Sequence, residues 1–179
     1  MAQTRHVQTL AAITSACTGD SVGAHELTDK LEKQFPRNAQ LNNYWLPVSR
    51  AYIEIRSGRP AQAIKFLEDA GAYELGFPEP QFSEGGILYP AYARGQAYLA
   101  LRRGREAAAE FRKFIDHRTI VANWPLAALA RLQLARAYAL QDDTARARQS
   151  YQDFLTLWKD ADPDIPILKQ AKVEYAKLQ

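Results

Sequence analysis

The sequence predicts an all-α fold in which four helical hairpins stack side by side as an α-solenoid and one further helix caps the end. Three observations predict it. Apolar residues recur at threes and fours without sustained alternation, short polar breaks divide the chain at near-regular intervals, and alanines stand at fixed distances on both sides of those breaks. The breaks are TGDS, SGRP, RRGR and QDDT, anchored on Gly19, Gly58, Gly104 and Asp142 and spaced by 39, 46 and 38 residues. Seven residues before the anchors stand Ala12, Ala51, Ala97 and Ala135, and five after them stand Ala24, Ala63, Ala109 and Ala147. Alanine fills only about one position in six, so this coincidence marks a repeat. Its physical reason is that antiparallel helices joined by a tight turn approach closely only where both present small side chains.

The elements follow in order as helices at 4–17, 21–35, 40–57, 60–71, 88–103, 105–118, 125–141, 143–159 and 166–178. In PLAALARLQLARAYAL, Leu126, Leu129, Leu132, Leu134 and Tyr138 keep the 3.6-residue period of one helix face. Gly58 suits the left-handed residue that ends a helix, and Pro60, Pro90 and Pro125 suit a first helical turn. Around Pro47 the apolar pattern extends upstream to Leu41, so the helix either starts at the proline or is kinked by it. The last helix places Leu168, Ala171, Tyr175 and Leu178 on one face, as a terminal cap requires, with Asp164 before Pro166 as its start. The whole chain, 1–179, thus reads as one domain with hairpins at about 4–35, 40–71, 88–118 and 125–159. Two connections are long. Residues 71–86 carry Tyr73, Phe77 and Phe82, and residues 118–125 carry Trp124; their rings predict loops packed on neighbouring hairpins, or overhanging a binding surface.

Composition narrows the function. The 179 residues are 47% apolar and 24% charged, as in an ordinary globular protein, and no apolar run approaches the roughly 20 residues of a membrane span. A cytoplasmic protein without a membrane association is the expectation. Net charge is +3, but residues 90–150 hold 11 lysines and arginines against 5 acidic residues. Nearly all of that positive charge is arginine, suited to bidentate contact with carboxylate or phosphate, although an ordinary solvated helix face with intrahelical pairs is the more frequent origin of such a run.

No constellation for catalysis stands out. The chain has no phosphate-binding glycine loop, no Gly-x-Ser-x-Gly elbow and no His-Glu-x-x-His. Its single cysteine, Cys17, is eight residues from His25, which matches no nucleophile and base pair, and the three histidines are far apart. Asp160, Asp162 and Asp164 alternate as in a calcium loop, but Pro163 and the missing glycine and distal glutamate argue against one. No enzyme activity, cofactor or metal is expected.

The residues resemble the tetratricopeptide repeat family. In LQLARAYALQDDTARARQSYQDFL, Leu134, Ala135, Tyr138, Ala147 and Tyr151 stand at the family's spacing, with Asp142 in place of its turn glycine. Gly19, Ala24, Leu31 and Pro36 match in the first hairpin, where Ser15 replaces the aromatic. Tyr52 and Tyr98 stand two residues early relative to Gly58 and Gly104, which implies two-residue extensions in the middle hairpins, with Phe111 and Phe114 continuing the apolar stripe. The last third is similar to the repeat region that ends larger bacterial proteins beginning with a serine/threonine kinase or a winged-helix regulator domain.

This resemblance implies a right-handed superhelix and a scaffold function: a non-enzymatic module that binds a peptide or protein segment in a concave groove. On the first helices the outward positions are Asn43, Leu46 and Arg50; Tyr89, Tyr92 and Gln96; and Leu129, Leu132 and Arg136. Of these, Asn43, Arg50, Tyr89, Tyr92, Gln96 and Arg136 are the candidate groove residues, with Arg94 adding charge, because tyrosine and arginine dominate contact energy at interfaces. The family's clamp for a C-terminal carboxylate is not matched, since Leu132 and Tyr92 stand where its lysine would be. Two alternatives stand beside this reading: a regulatory or self-associating region of a larger kinase or transcription regulator, and nucleic-acid binding through 90–150, which lacks a recognition motif.

Overall fold

The computed structural model of the chain describes residues 4–76, 88–121 and 124–178, and among them it is helical, with no strand. The helices are α1 (Arg5–Thr18), α2 (Ser21–Gln34), α3 (Leu46–Arg56), α4 (Pro60–Phe66), α5 (Tyr89–Ala100), α6 (Gly104–Asp116), α7 (Arg118–Val121), α8 (Pro125–Ala139), α9 (Thr144–Leu157) and α10 (Pro166–Ala176). They pack as neighbouring pairs, α1 on α2, α3 on α4, α5 on α6 and α8 on α9. First helices also touch in sequence, α1 with α3, α3 with α5 and α5 with α8, while α10 packs on α9.

Turn chemistry sets the pairing. Each pair is joined through one left-handed residue: Gly19 (φ 97°), Gly58 (φ 73°), Arg102 (φ 57°) and Asp142 (φ 57°). After three of them the chain closes the same Schellman motif, in which Arg59, Arg103 and Asp143 N–H donate to the carbonyls of Glu54, Tyr98 and Tyr138 at 2.9, 2.9 and 3.1 Å. Side-chain oxygens of Asp20 and Asp143 then accept from Gly23 and Arg146 N–H, both at 3.0 Å, and start α2 and α9.

The third turn therefore lies two residues earlier than the glycine suggested. With Arg102 as anchor, the residues five after the turns are Ala24, Ala63, Ala107 and Ala147, each fully buried, while Ala109 is exposed. The residue seven before it is Gly95, and Tyr98 falls into the register of Tyr138. No two-residue extension exists in either middle turn. Gly104 serves packing instead: a Cβ there would lie 2.7 Å from the carbonyl oxygen of Ala137 on α8. At Gly95 a Cβ would meet the Phe111 ring at 2.6 Å.

Around Pro47 the helix is continuous but irregular. A π-helical turn, Leu41–Trp45, runs straight into α3, and Leu46 N–H donates to the Leu41 carbonyl five residues back. Such a turn accommodates a proline, which has no N–H for the regular ladder. The second hairpin ends in α4 and a 3-10 turn, Asp69–Tyr73, rather than one helix to residue 71. Within 118–125, expected as a loop, α7 forms a short helical segment. Asp164 does not cap α10, whose N-cap is Ile165; it pairs with Lys169 at 2.7 Å. Phe77 and Phe82 lie outside the described residues.

Three apolar clusters make the core. The first joins α1 to α4 with Ala93 and Ala97 of α5, the second joins α5, α6, α8 and Ala147, and the third joins α8, α9 and α10. Inside the first, the Thr28 and Ser49 hydroxyls bond each other at 3.0 Å, while Thr28 also donates to the Ala24 carbonyl at 2.7 Å. Both hydroxyls are thereby satisfied where water is excluded.

Candidate functional site: a groove across the first helices

A groove of about 570 Å³ runs across the first helix of every pair. Cys17 comes from α1; Tyr52, Ile55 and Arg56 from α3; Tyr89, Tyr92, Gln96 and Leu99 from α5; Leu126, Leu129, Gln133 and Arg136 from α8; and Ile167 from α10. On α3, α5 and α8 the lining residues recur at threes and fours, so each helix presents one continuous face. Counted from the left-handed turn residues, Tyr52, Gln96 and Arg136 occupy the same position, six before.

Of the six candidate residues, the structure brings four together in this groove: Tyr89, Tyr92, Gln96 and Arg136. Asn43 and Arg50 lie elsewhere. Asn43 Nδ2 donates to the Tyr73 hydroxyl at 3.0 Å, and Arg50 Nη2 pairs with Glu32 Oε2 of α2 at 2.7 Å. Both belong to the first helical stretch of the second hairpin, where the residues facing the groove are Tyr52, Ile55 and Arg56. Turn register explains Arg50: it stands eight residues before Gly58, as Gln96 does before Gly104, whereas the groove position is six before the left-handed residue; Asn43 lies inside the π turn, where the inserted residue rotates the helix face by about 100°. Leu46 and Leu132, also expected to face outward, are 1% and 0% exposed. Tyr52 and Gln133 are groove residues that the sequence reading does not include, and the turn register is the signal that finds Tyr52.

Arg94 is not a groove residue. It is 8% exposed inside a four-charge cluster, donating to Glu74, to Glu110 Oε2 at 2.9 Å and to the Leu67 carbonyl at 2.9 Å. Lys113 Nζ completes the cluster at 3.0 Å from Glu74 and 2.8 Å from Glu110. Burial opposes the Glu110 charge, but the hydrogen bond and charge of Arg94, then those of Lys113, outweigh it and hold the carboxyl below its usual range. Two cations and two carboxylates balance, and the cluster ties the segment after the 3-10 turn to α5 and α6.

Besides Arg56 and Arg136, the groove's polar groups are neutral. Burial pushes Tyr52 well above its ordinary value and Tyr92 up to about 12, against hydrogen bonds from Gln133 and Gln96 that pull Tyr92 down. Tyr89 is raised by burial, with the Trp124 indole pulling the other way. Although Cys17 is exposed, packing around its thiol pushes it up to about 11, with Arg56 pulling the other way. The thiol and these tyrosine hydroxyls thus stay protonated near neutral pH. They offer hydrogen-bonding groups beside apolar surface.

The floor is braced by a chain of polar contacts. Arg136 donates through Nε to Glu174 Oε2 at 2.9 Å and through Nη2 to Oε1 at 3.0 Å, and Tyr151 donates to the same carboxylate at 2.9 Å. Arg136 Nη1 reaches Gln133 Oε1 at 3.3 Å, and Gln133 Nε2 donates to the Tyr92 hydroxyl at 3.4 Å. Arg136 is consequently neutralised by α10. Arg56 is exposed and is the one cation among the lining residues without a carboxylate within salt-bridge distance among the described residues. No acidic side chain lines the groove among the described residues.

Among the described residues no helix is long and apolar enough to cross a membrane, and no group of three histidine, cysteine or acidic residues is placed to hold a metal ion. No family model matches the chain, and neither a curated protein nor a solved structure matches it.

Proposed function

We propose that this chain is a protein-interaction module, its four helix pairs forming a right-handed solenoid of the tetratricopeptide kind whose groove takes an extended segment of a partner protein. One observation carries the reading: the first helices of all four pairs, with α10, line a single groove of about 570 Å³. A chain of stacked pairs creates such a shared surface, whereas one pair alone offers none. Tyrosine, leucine, glutamine and arginine line it, a composition typical of protein contact surfaces. Arg56, the one lining cation without a carboxylate within salt-bridge distance among the described residues, favours a segment carrying a carboxylate at that end, with apolar side chains towards Leu126, Leu129 and Ile167. Four arginines of the basic middle, Arg94, Arg103, Arg136 and Arg146, are paired with carboxylates of the chain itself.

Selection of peptides from a random displayed library on the immobilised chain tests the proposal. Peptides should be recovered that lose binding to the Leu129→Glu variant and keep it with Lys65→Glu, a change on exposed α4 surface. Recovery of no peptide, or peptides indifferent to Leu129→Glu, would overturn it.

A further inference from the structure

A second concavity, of about 550 Å³, lies between α7, the start of α8 and the end of α9, and the groove above does not include it. Two indoles and two guanidiniums face it, from Trp124, Trp158, Arg118 and Arg131, with Leu157 beside them and no acidic residue among the described lining side chains. Arg131 Nη1 donates to the Ala127 carbonyl at 3.0 Å, and neither arginine has a carboxylate within salt-bridge distance among the described residues. Elsewhere in the basic middle segment Arg94, Arg103, Arg136 and Arg146 have one, while Arg102, Arg105, Arg112 and Arg148 are likewise without one among the described residues but do not line this cleft.

The rings are held in place rather than collapsed onto each other. Trp158 stacks at a tilt on buried Phe154, with ring centroids 5.0 Å apart. Trp124 packs against the second core cluster. Both rings are only half-buried, and Leu157 is 57% exposed. Flat apolar faces beside unpaired, fork-shaped cations form a surface complementary to a ring and a negative charge on one molecule.

We propose that this cleft binds a small anion carrying a planar ring, the indoles contacting the ring and Arg118 and Arg131 the charged group. A phosphate and a carboxylate share that chemistry, and two probes separate them: adenosine monophosphate and indole-3-acetate.

The measurement is the set of three indole N–H signals in a nitrogen-proton correlation spectrum of the labelled chain. Trp45, 2% exposed in the first core cluster, serves as the internal reference for folding. At least one of the two probes should move the Trp124 and Trp158 signals saturably and leave Trp45 in place, and the probe that does so identifies the anion. Adenosine and inorganic phosphate each supply half of the chemistry. Each should bind at least about tenfold more weakly, because it forgoes either the charge-assisted hydrogen bonds or the ring stacking. The doubly substituted Arg118→Gln, Arg131→Gln chain should bind more weakly by about the same factor while its Trp45 signal stays native. Failure of both probes to move the signals, equal binding of phosphate alone, or full binding by the double variant would overturn the proposal. Failure here leaves the groove reading intact, because its peptides are selected independently and tested at Leu129.

Discussion

Arg136 of α8 and Glu174 of α10 form a two-pronged ion pair, 2.9 and 3.0 Å long, that fastens the last helix across the end of the groove. Both side chains are about one-quarter exposed, so the pair is neither a solvated surface contact nor a fully desolvated one. Tyr151 and Gln133 hang on the same two residues. Glu174→Gln keeps the shape but removes the charge that holds Arg136, and should destabilise the chain by about 1–3 kcal/mol. Urea unfolding reads the change, and amide exchange should accelerate first in α10. An unchanged midpoint would mean that Leu168 and Ala171 alone hold the helix.

Two kinds of glycine substitution should move stability in opposite directions. Gly95→Ala and Gly104→Ala place a Cβ against the Phe111 ring and the Ala137 carbonyl, and overpacking of this kind costs about 1–3 kcal/mol. Arg102→Gly instead relieves a left-handed residue and should stabilise by up to about 1 kcal/mol, more than Asp142→Gly, because aspartate tolerates that conformation better. Thermal unfolding of the four variants ranks them.

These glycines also explain what is legible in the sequence. Helix type and pairing follow from apolar periodicity, and three of four turns are identifiable because Gly58, Gly19 and Asp142 are residues that adopt a positive φ. The third turn escapes this rule since Arg102 takes the left-handed role while Gly104, two residues on, answers a packing need invisible in one sequence. On α5 and α8 the groove face is readable, because helical period fixes which residues share a side. On the second hairpin the misplaced third turn defeats that count, because Arg50 stands eight before Gly58 as Gln96 does before Gly104, whereas the groove position is six before the left-handed residue. Arg94 defeats it too, because burial of a balanced ion cluster depends on Glu74, Glu110 and Lys113 arriving from distant positions in the chain.

Stability should fall on both sides of neutrality for different reasons. Glu110 ionises more readily folded than its ordinary value of 4.5, so it adds stability above that pH, and the contribution disappears as pH falls through the lower folded value. Tyr92 holds its proton up to about 12 against an ordinary 10.0, so stability declines once pH exceeds 10.0. Denaturation at a series of pH values should show both falls, the acid one reduced in Glu110→Gln and the alkaline one in Tyr92→Phe.

Cys17 should react slowly despite its exposure. With its thiol raised from 9.0 to about 11, the thiolate fraction near neutrality drops by about ten- to a hundredfold, and alkylation slows in proportion. Iodoacetamide kinetics on folded and urea-unfolded chain compare the two states directly. Equal rates would place the sulfur outside the groove mouth.

The most direct test of groove binding is photo-crosslinking of a selected peptide to benzoylphenylalanine placed at residue 96 or, as control, at residue 65. A covalent adduct is expected at 96, within the groove, and none at 65. An adduct at 65 alone, or at neither position for a peptide that binds, would contradict groove binding.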